Sequence, residues 1–252
     1  MKSKLTVIVT VCTLIAFVAC RKEKEKEPQI DDIKFVVPAN FPKPVYGFEN
    51  NAITKNGFDL GRKLFFDPGL STTRLISCGS CHQPFAAFAN LGHEVSHGVD
   101  DCLGARNAPP IFNMAWHSEF MWDGGVKNIE IIPLNALNNS CEMGNSLSMA
   151  INYLNATKPY PELFNKAFGS NIINSQQMLR ALAQFTAILV SANSKYDKHI
   201  RAEAGGEFTA DEQSGYELFK QKCSACHKEP LFTDLSYRSN GLDETSRDIG
   251  RD

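Results

Sequence analysis

The sequence predicts a mainly α fold in two related parts, and three observations carry that reading. Strand-like alternation of apolar and polar residues is scarce, whereas helical apolar spacing is extensive. The pattern Cys-x-x-Cys-His occurs twice, as Cys78-Gly-Ser-Cys81-His82 and as Cys223-Ser-Ala-Cys226-His227. Each copy also sits in a weakly repeated frame. Gly57-Phe58-Asp59-Leu60 precedes the first and Gly215-Tyr216-Glu217-Leu218 the second, and a phenylalanine follows each histidine closely (Phe88, Phe232).

The chain opens with an export signal over residues 1–20. Lys2 and Lys4 form its basic end, and Leu5 to Val18 is an apolar run too short and wrongly flanked for a membrane span. Phe17-Val18-Ala19-Cys20 closes the run as a lipoprotein signal does, so that Cys20 becomes a lipidated first residue. Phe17 is unusual three places before that cysteine, and plain secretion is the alternative. Several acyl chains on one cysteine would hold the protein stably on a membrane surface. A charged tether follows over 21–45, beginning with alternating basic and acidic residues from Arg21 to Glu27.

Beyond the tether, Lys55 to Phe65 reads as the helix of the first frame, with a turn at Asp67-Pro68-Gly69 before the motif. Asn145–Leu154 and Pro161–Phe168 are further helical segments. Ser175 to Ile200 reads as one long helix, with Met178, Leu182, Phe185 and Leu189 forming a core-facing stripe. Ala204-Gly205-Gly206 is the natural hinge. Thr209-Ala-Asp-Glu212 is a capping box that opens a helix to about Lys222 and delivers its end to the second motif. Two domains result, over 46–206 and 207–252.

Cys-x-x-Cys-His is the attachment site of a c-type haem: the cysteines form thioethers with the vinyl groups, and the histidine takes one axial position on iron. Zinc would need a closed set of four ligands, and a thiol redox pair would not need the histidine in both copies. Two covalent c-type haems are therefore expected. In bacteria such haem is attached outside the cytoplasm, which agrees with the export signal. Cys102 and Cys141 remain after the haem, signal and lipid cysteines are assigned. They form a disulfide or stay as two buried thiols. The chain carries 26 basic and 28 acidic residues; loss of residues 1–19 removes two lysines and leaves a net charge of about −4. Such a balance does not point to nucleic acid.

With the flanks of the motifs in view, the chain resembles the bacterial dihaem cytochrome c peroxidase family, which includes the methylamine-utilisation haem enzymes. The resemblance rests on Leu60-Gly-Arg-Lys-Leu-Phe-Phe-Asp67, Ser77-Cys-Gly-Ser-Cys-His82, Ser96-His-Gly-Val99, Arg106-Asn-Ala-Pro109, Phe120-Met-Trp-Asp-Gly124, Glu142-Met-Gly144 and Phe232-Thr-Asp234. It implies two cytochrome c-like haem domains, the second incomplete, in a periplasmic enzyme. The domain over 46–206 would reduce hydrogen peroxide and that over 207–252 would admit electrons from a small donor c-type cytochrome. His82 and His227 become the proximal ligands, and Trp122 matches the tryptophan lying between the haems. Glu142 matches the acid/base residue of the peroxide pocket, where one proton must leave the near peroxide oxygen and reach the departing one. Family members form dimers, so a homodimer is the implied assembly.

Three departures qualify the match. The family's distal histidine of the N-terminal haem falls at Val99, which cannot ligate iron, so that haem is expected to be five-coordinate or water-bound and to need no reductive activation. His97, two residues away, is the alternative distal ligand. A pocket glutamine of the family falls at Ile132. The chain stops at Asp252, before the family's methionine ligand, which leaves a fragment or a second haem without its usual sixth ligand. Met114, Met121, Met143, Met149 and Met178 read as packing residues. Asn107 matches one calcium ligand, the others lying beyond Asp252. The rival functions are oxidation of a protein or organic substrate, as in the methylamine-utilisation branch, and dihaem electron transfer without catalysis.

Overall fold

The computed structural model describes residues 33–238. The expected export signal, Cys20 as the expected lipid site and the first part of the expected tether lie outside the described residues, as does the tail from 239 to 252. Among the described residues there are eight α-helices and no strand beyond three isolated bridges. None of those helices is long and apolar enough to cross a membrane.

The core is built on two crossing helices, α1 (Lys55–Phe65) and α6 (Ser175–Ala187). Thr54 starts α1 by accepting from the Gly57 amide, and Gly57, Leu60, Gly61, Leu64 and Phe65 form its buried face. This is the i, i+3, i+4 spacing of one apolar stripe. It meets Met178, Leu182 and Phe185 of α6, all buried. Gly61 allows the approach, because a Cβ there would lie 1.9 Å from the Ala181 carbonyl oxygen. Buried Gln184 joins the two helices, accepting from the Thr54 amide at 3.0 Å and donating to Asn51 Oδ1 at 2.9 Å. Gly61→Ala is expected to destabilise the protein by about 1–3 kcal/mol through overpacking, exceeding the ~1 kcal/mol that alanine gains over glycine within a helix. Urea unfolding of the holoprotein measures it.

Three short helices occupy the segment between: α3 (Ile132–Asn138), α4 (Leu147–Ala156) and α5 (Tyr160–Phe168). The last two match the expected segments to within two residues at each end. Helix α4 starts at Leu147 because Ser146 is its cap, while Asn145 turns inward and donates to the Leu70 carbonyl at 2.8 Å.

The single helix expected over 175–200 is two. Helix α6 ends at Ala187, and α7 (Lys195–Ile200) begins only after Ser194. Asn113 holds the gap open: its amide donates to the Leu189 carbonyl, and its side chain both accepts from the Ser191 amide at 2.8 Å and donates to the Ser191 carbonyl at 3.3 Å. Ser194 and Asp197 then form a capping box that restarts the helix. Leu189 therefore lies beyond the helix and is only half-buried. The turn at Ala204–Gly206 packs tightly on α7, with Gly206 buried; a Cβ on it would meet the His199 amide nitrogen at 2.4 Å. Helix α8 (Ala210–Lys222) follows, capped by Thr209 and Glu212 as its sequence predicts.

Candidate functional site

The first motif forms one helical turn, α2 (Cys78–Cys81), numbered by its place between α1 and α3. Ser77 and Ser80 cap it reciprocally. Gly79 is needed for closeness, since a Cβ there would lie 2.4 Å from the Phe66 ring. His82 ends the turn, its amide donating to the Cys78 carbonyl at 2.9 Å. The His82 Nδ1 donates to the Phe88 carbonyl oxygen at 3.0 Å. Phe88 presents that oxygen from a left-handed conformation (φ 59°) that follows another at Ala87. With its proton fixed on Nδ1, the imidazole keeps the Nε2 lone pair for a metal. Burial holds His82 below the usual imidazole range and so favours the neutral, ligating form.

Cys78 and Cys81 are free, and burial raises both thiols, Cys78 to about 12. They line one cavity together with His82, Glu142 and an apolar wall that includes Phe65, Ile111, Met114, Ile129 and Leu182. The cavity is partly open to solvent, and most of the residues lining it are apolar. Two free thiols, a neutral imidazole and an apolar wall fit a covalent haem.

Glu142 reaches this cavity from the loop after α3. Asn139 caps α3, and its side-chain Nδ2 donates to Glu142 Oε1 at 2.9 Å. Burial raises the Glu142 carboxyl above its ordinary range, and the Asn139 bond partly opposes the rise. The loop is held to the segment 96–104 by the Cys102–Cys141 disulfide and by the Val99 amide, which donates to the Glu142 carbonyl at 2.8 Å. Gly98 allows that approach, as a Cβ there would sit 2.1 Å from the Cys141 carbonyl oxygen. The two leftover cysteines thus pair, as one of the two sequence readings expected.

Val99 is buried against Gly144. The His97 ring faces Asp101 (Nδ1 to Oδ1, 3.0 Å) and the His93 ring. Neither residue lines the cavity, whereas Ile132 does. Trp122 is 55% exposed and outside that lining, its Nε1 donating to the Asn107 carbonyl at 2.7 Å. Asn107 Nδ2 donates to the His93 carbonyl, while its Oδ1 is buried with no hydrogen-bond partner among the described residues. Met114 and Met143 are buried core residues that also line the cavity.

The second motif repeats the device of the first in an open setting. His227 Nδ1 donates to the Phe232 carbonyl at 3.2 Å, and Phe232 is again left-handed (φ 56°). Cys223, Cys226 and His227 are all exposed, and α8 buries none of its residues. The Tyr196 and Tyr216 hydroxyls both donate to Glu229 Oε1, at 2.6 and 2.7 Å. The motif phenylalanines were visible in the sequence; that their backbone oxygens hold the histidines was not. Asn139 gave no signal, being one polar residue in a polar loop.

Residues 55–205 match the family described as di-haem cytochrome c peroxidase. The methylamine utilization protein MauG of Methylorubrum extorquens is 33% identical over 86% of this chain and 61% of its own length. The cytochrome c551 peroxidase of Nitrosomonas europaea is 32% identical over 82% of this chain and 61% of its own. Among solved structures, a MauG-like protein associated with microbial copper homeostasis superposes with a TM-score of 0.72 at 30% identity, over 82% of this chain and 63% of that one. The chain spans about three-fifths of the length of these relatives.

Proposed function

The chain belongs to the di-haem cytochrome c peroxidase family, and on that premise we propose that it reduces hydrogen peroxide to water in the periplasm with electrons from a small c-type cytochrome. One observation carries the reading: Cys78, Cys81, His82 and the Glu142 carboxylate face a single cavity. Cys78 and Cys81 would hold the first haem and His82 Nε2 its iron. When bound, the haem supplies the redox centre that exchanges electrons with peroxide.

The chain's own contribution is the handling of protons. Peroxide takes two electrons and two protons to give two waters, and cleavage is helped when a proton is removed from one oxygen and returned to the other. Glu142 ionised is the acceptor and Glu142 protonated the donor. Burial brings its two forms closer in energy at neutral pH, which suits a group that must play both parts. The apolar wall limits water around that exchange.

Cys223, Cys226 and His227 would hold the second haem, which would admit the electrons from the partner cytochrome. Trp122 takes the family's place between the two haems, and the domains divide at 206/207. Asn107 Oδ1, buried without a partner, supports calcium there. Lipidated Cys20 would anchor a homodimer to the membrane. A second reading, oxidation of a protein or organic substrate, is favoured by Val99 and by the likeness to MauG.

Stopped-flow mixing of peroxide with the reduced holoprotein and a small reduced cytochrome tests the proposal. Peroxide-dependent oxidation of the donor is expected. Haem bleaching without donor oxidation counts against it, and an oxidised state that decays only on adding an organic substrate supports the second reading.

A further inference from the structure

The loop that delivers Glu142 is organised around Asn139, which uses all four of its polar groups locally. Its amide donates to the Asn135 carbonyl at 3.0 Å and closes α3. Its carbonyl accepts from the amides of Glu142 at 3.0 Å and Gly144 at 2.9 Å. Its side-chain Oδ1 accepts from the Cys141 amide at 2.9 Å, and its Nδ2 donates to Glu142 Oε1 at 2.9 Å. Four of these five bonds shape the turn, as an asparagine at a helix end commonly does. The fifth does something else: among the described residues it is the one hydrogen bond made to the Glu142 carboxylate.

We infer that Asn139 is a positioning residue for proton transfer: its amide holds Glu142 Oε1, so that the other carboxylate oxygen is the one offered to the ligand in the cavity. The inference rests on the reading of Glu142 as the proton acceptor. Its physical basis is that a rotatable glutamate chain needs a fixed point if one oxygen is to face the ligand, and a hydrogen bond to a charged group is among the stronger ones available. A donor on Oε1 also favours the ionised carboxylate, against the burial that disfavours it.

Asn139→Asp separates positioning from turn formation. Aspartate keeps an oxygen for the Cys141 amide and is as good a turn former, but it cannot donate to Oε1 when ionised. In the holoprotein Cys78 and Cys81 across the cavity would be thioethers with no titratable proton, and the His97–Asp101 pair on the adjoining segment is unchanged by it. Cyanide is the probe, because hydrogen cyanide must surrender a proton on binding to haem iron and so reports the acceptor without turnover. In oxidised holoprotein N139D, cyanide is expected to bind roughly tenfold more slowly at neutral pH, with the midpoint of the acid limb moved up by about one pH unit. E142Q runs alongside. Wild-type rates and midpoint in N139D beside a slow E142Q overturn the role of Asn139 alone. Wild-type rates in E142Q overturn the proton-acceptor reading and this inference with it. If N139D fails to take up haem, Asn139→Ala, which also lacks the donor but adds no charge, carries the same expectations.

Discussion

Glu142→Gln is expected to slow peroxide reduction by about a hundred- to ten-thousand-fold, the usual contribution of a positioned acid/base group. Glutamine is close to isosteric, and its amide oxygen can still accept from Asn139 Nδ2, so the loop and the disulfide beside it should be undisturbed. What disappears is the capacity to take and return a proton. The pH profile gives an independent check. Glu142 must be ionised to act as acceptor, and burial raises its carboxyl above the ordinary range. The wild-type rate should therefore fall on acidification at a pH above that of an exposed glutamate, and E142Q should lose that acid limb. Stopped-flow rates of peroxide with reduced holoprotein across a pH series decide it. An acid limb unchanged in E142Q would assign it to another group and remove Glu142 from the mechanism.

Replacing both Cys102 and Cys141 by serine is expected to cost about 2–4 kcal/mol of stability, the typical worth of a disulfide. The bridge spans 39 residues and closes the segment that carries His97 and Val99 onto the loop that carries Glu142. Beyond the loss of chain entropy in the unfolded state, the native loops would be left with the Val99–Glu142 backbone bond and the packing at Gly98 and Gly144 to hold them. Peroxide reduction should fall alongside stability. Denaturant unfolding of the oxidised holoprotein measures the first and stopped-flow the second. A double variant as stable as wild type would mean that the loop contacts suffice without the bridge.

Local chemistry was legible in the sequence where it was self-contained. Helix α1 and helix α8 run between the expected residues because Thr54 and Thr209 supply caps within three residues of the amides they satisfy. The break after Ala187 was not legible from apolar spacing, because Ile188, Leu189 and Val190 continue it; the residue that captures their backbone, Asn113, is 78 positions from Ser191. The Ser194–Asp197 box that restarts the helix is local, but the longer apolar pattern runs straight through it. Similarly, both Cys-x-x-Cys-His motifs and Glu142-Met-Gly144 were readable as strings. That Glu142 and His82 share a cavity, that Val99 lends its amide to Glu142, and that Asn139 holds the carboxylate are consequences of chain crossings no local pattern encodes.

The two left-handed phenylalanines carry a consequence for how the protein tolerates mutation. Each histidine proposed to ligate iron leans on a peptide oxygen, at Phe88 and at Phe232, and a peptide oxygen cannot be deleted by exchanging a side chain. The ligand's orientation is thereby insulated from most single-residue changes nearby. Its vulnerability lies in loop shape: a proline at either phenylalanine, whose ring enforces a negative φ, would turn the oxygen away and leave the imidazole free to rotate or to shift its proton to the nitrogen that iron requires.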